Sequence, residues 1–85
     1  SGIDGKSIVA GAIVQGVKVI ITKKNKQMAF VQLEDLTGTI EAVAFPEVYK
    51  NHMHDLEEDK ILAIKAKIKI RDGARTLMLE SVKEV

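Results

Sequence analysis

The chain has no cysteine and no tryptophan, a single proline, and only two phenylalanines and one tyrosine among its aromatic residues. Without cysteine there is no disulfide, no thiol nucleophile and no thiolate metal site, and the redox compartment stays open. So few aromatics exclude a multi-ring stacking platform. No apolar run approaches the roughly 20 residues needed to cross a bilayer, and no signal-type segment precedes the first apolar stretch. No nucleophile–base pair and no glycine-rich phosphate cradle appears, which argues against catalysis. His52 and His54 stand two apart, off the i, i+4 spacing of a helical metal pair. Asp55, Glu57, Glu58 and Asp59 lack the glycine-bearing loop of a calcium site and read as a solvated helix end. The expectation is a soluble, cytoplasmic module with no cofactor, no metal and no membrane.

What is present suffices for one core. Eighty-five residues with a 46% apolar share form one small domain, in which folding buries around two-thirds of the unfolded surface. Ser1-Gly2, without a methionine, looks like a tag remnant. Residues 1–6 are expected to be a flexible N-terminus and residues 7–85 the domain. The net charge of +1 hides three blocks: Lys18 to Met28 holds four lysines and no acid, Glu34 to Asp59 eight acids against Lys50, and Lys60 to Arg75 six cations against Asp72. Blocks of opposite sign suggest a basic face and an acidic end.

Ser7 to Thr22 reads as a long strand rich in valine and isoleucine. Its first half is apolar on both parities, as in a strand buried on both faces or shared between two sheets. Gly11 and Gly16 permit a bend or bulge within it. Lys23-Lys24-Asn25-Lys26 is a basic loop. Gln27 to Glu34 alternates, with Ala29, Val31 and Leu33 inward. Asp35 to Gly38 fits a four-residue turn, and Thr39 to Phe45 alternates again, with Ile40, Ala42 and Ala44 on one side. Pro46-Glu47 opens a helix whose stripe runs through Val48, Tyr49 and Met53 to Leu56. Lys60 to Arg71 is the most regular strand, its Leu62, Ile64, Ala66, Ile68 and Ile70 alternating with Lys65, Lys67, Lys69 and Arg71. Asp72-Gly73 is a preferred hairpin pair, with a slightly longer loop as the alternative. Thr76 to Val85 is the last strand, with Leu77, Leu79 and Val82 inward.

The order β1-β2-β3-α-β4-β5, all-β with one helix, is that of a five-stranded OB-fold β-barrel. Ligands of that fold cross its second and third strands, flanked by the first and fourth connecting loops. Both loops are basic here.

The residues T-K-K-x-K-x-M-A-F-V-x-L-E-D-L-T-G-x-I-E at Thr22 to Glu41 carry a closer resemblance. With V-x-F-P-E-V-Y at Val43 to Tyr49 and L-E-E-D-K at Leu56 to Lys60, nearly the whole chain resembles the OB-fold (nucleic-acid-binding, tRNA-anticodon-like) domain of the bacterial DNA polymerase III alpha subunit. The anticodon-binding OB domains of aminoacyl-tRNA synthetases look similar over a shorter stretch around Phe30 to Asp35. The resemblance implies a non-catalytic module that binds single-stranded DNA beside other domains of a polymerase or replisome; the family's polymerase carboxylates lie in a separate domain. In the anticodon-binding relatives, the aromatic at the place of Phe30 stacks on a base. The residue at the place of Glu41, commonly glutamine, reads a base edge. Glutamate there repels phosphate and favours the polymerase-domain reading.

The candidate site is therefore Phe30 for stacking, Gln32 beside it, and Lys18, Lys23, Lys24, Lys26, Lys65, Lys67, Lys69, Arg71 and Arg75 for phosphates. Outward lysines on one strand repeat every 6.5–7 Å or so, close to an extended single strand's phosphate spacing, although such lysines also serve solubility and edge protection. Single-stranded RNA is a second candidate ligand. The alternative function is a protein-interaction or spacer module, natural, engineered or reconstructed, with little nucleic-acid affinity. Its partner would dock on the acidic helix end or around Phe45 and Tyr49.

Overall fold

The computed structural model describes residues 5–35 and 37–85, with Arg71 described by its backbone. The elements are β1 (Ser7–Ile21), β2 (Gln27–Asp35), β3 (Gly38–Ala44), α1 (Pro46–His52), β4 (Ile61–Arg71) and β5 (Ala74–Glu84). The strands close into a barrel in the order β1-β2-β3-β5-β4. Every pairing is antiparallel except the last to close, where Glu41–Val43 lie parallel to Thr76–Met78. This is the OB barrel that the element order implied. No helix among the described residues is long and apolar enough to cross a membrane. Residues 1–4 of the expected N-terminal tail lie outside the described residues. Gly5 and Lys6 extend the β1–β4 ladder, with the Gly5 amide donating to Ile68 O (2.7 Å) and the Ile68 amide donating to Lys6 O (2.9 Å).

β1 is shared between two neighbours. Ser7–Ile13 pair with β4 and Ile13–Ile21 pair with β2. The hand-over lies at a register shift between Val14 and Gly16, so Gly16 sits at the bulge that its type suggested. Burial on both faces does not occur. Ala12 and Val14 are buried, while Val9 is 77% and Ile13 38% exposed, because the outer face of this half carries no covering layer. A second shift, between Lys65 and Ala66, sets Ser81 opposite Lys65 and Leu79 opposite Ala66. The extra residue lets Leu77, Leu79 and Val82 all point inward despite their uneven spacing.

The interior tapers. Along β2 and β3 the paired inward residues shrink from Leu33–Ile40 to Val31–Ala42 to Ala29–Ala44, as a narrow barrel requires. The alanine end leaves room for Leu56, 4% exposed, and for Val48 and Tyr49, which pack on the core. α1 thus plugs one end of the barrel. It starts as the sequence implied, with Pro46 in its first turn, Glu47 near the N-terminus, and the Tyr49 amide donating to Phe45 O (2.8 Å). It stops at His52 instead of reaching Leu56. The bonds from Asp55 N to His52 O (3.0 Å) and Leu56 N to Met53 O (3.3 Å) span only three residues, tightening the chain so that Leu56 turns into the core. Lys60, expected in the basic strand, folds back instead. Its ammonium donates to His54 O (2.8 Å) and lies 3.0 Å from Glu57 Oε1; the bond to the Glu57 carboxylate is the chief cause of its raised pKa.

The expected turn from Asp35 to Gly38 contains Leu36, outside the described residues. Its flanks are tied. Thr37 donates its hydroxyl (2.6 Å) and its amide (2.8 Å) to Asp35 Oδ1. These bonds, the hydroxyl's first, hold the Asp35 carboxyl below its ordinary value. A carboxyl lowered in the folded state contributes stability above its unfolded pKa of about 3.9. That contribution is lost as pH falls through the lower folded value. In an NMR titration, Asp35 should therefore titrate at lower pH than in the Thr37→Val variant. Coinciding midpoints would contradict the bonding.

Candidate nucleic-acid interface

Strand pairing builds a row of side chains across the outside of the barrel. Lys18 stands opposite Phe30, Phe30 opposite Val43, Val43 beside Met78, and Met78 opposite Lys67. Directly paired residues face the same way, so five strands contribute one continuous line with an apolar middle and a lysine at each end. Four interstrand steps of about 4.8 Å separate those lysines. A second row runs beside it through Gly16, Gln32, Glu41, Thr76 and Lys69. Two shallow hollows share Phe30 and Glu41. One adds Val17, Lys18, Gln32 and Glu58; the other adds Val43, Phe45, Lys69, Thr76 and Met78. Together they make one groove across the barrel.

Phe30 is half-buried and Val43 is 8% exposed, so the ring is held at its base by packing while one side opens to the groove. Gln32 Nε2 donates to Glu41 Oε2 (3.3 Å), which ties the two polar side chains on the groove floor together. Glu41 and Glu58 place negative charge in the middle, and the cations stand at its flanks. An extended polyanion with flat bases fits such a surface with its bases toward the floor and its phosphates toward the rims.

The structure unites Lys18, Phe30, Gln32, Lys67 and Lys69. Lys23, Lys24 and Lys26 cap the β1–β2 hairpin, whose last pair, Ile21–Gln27, lies three ladder steps beyond Lys18–Phe30, about 10 Å along the strands. The loop is compact: Thr22 N donates to Lys26 O (2.8 Å), Asn25 N to Thr22 O (2.9 Å), and Lys26 N to Thr22 Oγ1 (3.2 Å). Asn25 takes the left-handed φ of 62° that closes it. No lysine side chain is needed to hold that turn. Lys65 stands between Val9 and Ser81, one outward position further along β4 from Lys67 and off the groove. Arg75, opposite Ile70 on β5, lines the open mouth of the barrel at the end away from α1. Arg71 pairs with Ala74, and Asp72-Gly73 make a two-residue turn with φ of 53° and 80°; the placement of Arg71's charge lies outside what is described.

Val43, Thr76 and Met78 join the groove without having been singled out from sequence, and Phe45 had been weighed only as a protein contact. Parity turns Thr76 and Met78 outward, but pattern alone leaves open which side Val43 and Phe45 bury against. Their partnership with Phe30 comes from the parallel closure of β3 on β5, which no local pattern announces.

A family model described as an OB-fold nucleic acid binding domain matches residues 8–85. The chain is 37% identical over 68 residues to DNA polymerase III subunit alpha of Mycobacterium tuberculosis (strain ATCC 25618 / H37Rv), covering 80% of this chain and 6% of that protein. It is 35% identical over 66 residues to the same subunit of Bacillus subtilis (strain 168), covering 78% and 6%. It thus spans about 6% of the length of these curated relatives. The fold is also that of the second OB-fold domain of replication protein A from Methanococcus maripaludis, with a TM-score of 0.69 at 15% identity over 96% of this chain and 86% of that one. A mitochondrial single-stranded DNA binding protein from S. cerevisiae superposes with a TM-score of 0.72 at 9% identity, over 96% of each chain.

Proposed function

The chain belongs to the family of OB-fold nucleic acid binding domains, and on that premise we propose that it is a non-catalytic module binding single-stranded DNA, largely without sequence preference. The observation that carries this reading is the row Lys18–Phe30–Val43–Met78–Lys67, an apolar middle that accepts base faces between two cations. Phe30 stacks a base. Lys18 and the Lys23–Lys26 loop hold phosphates on one side, Lys67 and Lys69 on the other. Glu41 keeps phosphate off the floor, so the backbone follows the rims. The similarity to polymerase alpha subunits supports a setting beside other polymerase or replisome domains, in a bacterial cytoplasm. Among the described residues the aromatic side chains lining the groove are Phe30 and Phe45, so affinity is modest and rests on charge.

Phe30→Ala tests this directly. Losing one stacked base costs about 1–3 kcal/mol, so affinity for a fluorescent oligo-dT should fall about 5- to 150-fold, while Phe30→Tyr retains it. Circular dichroism melts establish that both variants fold. Unchanged binding by a folded Phe30→Ala variant would overturn the stacking assignment.

A further inference from the structure

Barrel closure leaves one stretch of β1 with a neighbour on one side only. Ser7–Ala12 pair with β4, but β2 joins β1 no earlier than Ile13. The ladder phase says what the open side offers. The Val14 amide donates to Lys60 O (2.9 Å), its carbonyl accepts from Asp59 N (2.8 Å), and Lys6 O accepts from Ile68 N (2.9 Å). The β1–β4 register runs unbroken between these points. Within that register, Ile8, Ala10 and Ala12 therefore turn their amides and carbonyls toward β4. Ser7, Val9 and Gly11 turn theirs to the open side, where no strand is paired with them among the described residues.

This edge lacks the usual protection. Ser7-Ile8-Val9-Ala10-Gly11-Ala12 holds no charge, no proline and no register shift, the devices that keep an edge from pairing. Val9 is 77% exposed. Open space flanks the edge on both sides. A hollow lined by Gly11, Ile13, Glu34, Thr37 and Ile61 lies on one, and the barrel mouth with Ile8, Ala10 and Ile40 on the other.

We infer that this edge pairs with a second copy of the chain, β1 to β1 and antiparallel, centred on Val9. The segment is its own complement. With Val9 opposite its twofold mate, Ser7 falls opposite Gly11, and all three are residues whose backbone groups point outward, so the hydrogen bonds are in phase. The register brings Lys6 of each copy to the Glu34–Asp35 end of the other's β2, where the ladder with β1 stops. Opposite charges therefore meet twice, as an isologous interface demands. Ile8 and Ala10 of each copy extend over the mouth of the other barrel. The groove around Phe30 stays open, since none of its residues lies on this edge.

Sedimentation equilibrium of the chain over rising concentration tests the pairing. A monomer–dimer equilibrium with a dissociation constant tighter than about 1 mM is expected. Val9→Lys, at an exposed position that the monomer does not pack, sets two like charges on the twofold axis and should weaken the dimer by about 100-fold. Lys6→Glu should weaken it too, and adding Glu34→Lys should restore it. Oligo-dT binding by each variant, unchanged, shows that the fold persists. A chain that stays monomeric to about 1 mM, or a dimer indifferent to both Val9→Lys and Lys6→Glu, would overturn the inference. Neither outcome bears on DNA binding, which is read separately.

Discussion

Replacing Lys23, Lys24 and Lys26 together by glutamate should lower affinity for oligo-dT on the order of 100-fold at low salt. It should also flatten the dependence of binding on salt. Each lysine that neutralises a phosphate of a single strand releases counterion and contributes about 0.7 to the slope of log affinity against log salt. Losing three such contacts removes about 2 from that slope. The variant should fold as the parent does, because the loop is closed by Thr22, Asn25 and backbone groups and not by the lysine side chains. Fluorescence anisotropy at several salt concentrations measures both quantities. An unchanged slope would mean that this loop holds no phosphate, and the backbone path would then run only past Lys18, Lys67 and Lys69.

The second large effect is on stability. Leu62 is fully buried and Ile61, its neighbour on β4, is 53% exposed, so adjacent residues of similar volume test opposite faces of one strand. Leu62→Ala should cost about 3–5 kcal/mol, the transfer energy lost plus the cavity left. That approaches the whole stability of a domain this small. The melting temperature should then fall by roughly 4–8 °C for each kcal/mol, leaving a variant that is largely unfolded at 37 °C. Ile61→Ala should stay within about 0.5 kcal/mol of the parent. Guanidinium melts of the two variants give the comparison, and equal midpoints would contradict the assignment of β4's inner face.

Much of the barrel was legible because its signals are local. Alternation in β2 and β4, the proline opening α1, and the Asp72-Gly73 turn each express a preference of neighbouring residues, and all appear where expected. What escaped depends on partners distant in sequence. The apolar residues on both parities of β1 left burial on both faces and sharing between neighbours open. β1 is shared, and Val9 and Ile13 are exposed because no layer covers them. α1 was expected to continue to Leu56, yet the demand for Leu56 in the core breaks it early. Lys60 counted with the basic strand until the fold set Glu57 and the His54 carbonyl against it. For the site, parity sufficed to turn Phe30, Gln32, Lys67 and Lys69 outward. It could not reveal that Val43 and Met78 join Phe30 to Lys67, because that link is made by the three-residue parallel contact of β3 with β5.

The central claim is that the groove takes base faces and not only charge. Titration of one protein sample with single-stranded DNA, duplex DNA and single-stranded RNA, each at two salt concentrations, tests it most directly. Single strands should bind more tightly than duplex of equal length, since a duplex hides its base faces from Phe30, and affinity should fall steeply with added salt. Equal affinity for single-stranded and duplex DNA, or no binding to either at low salt, would contradict the account.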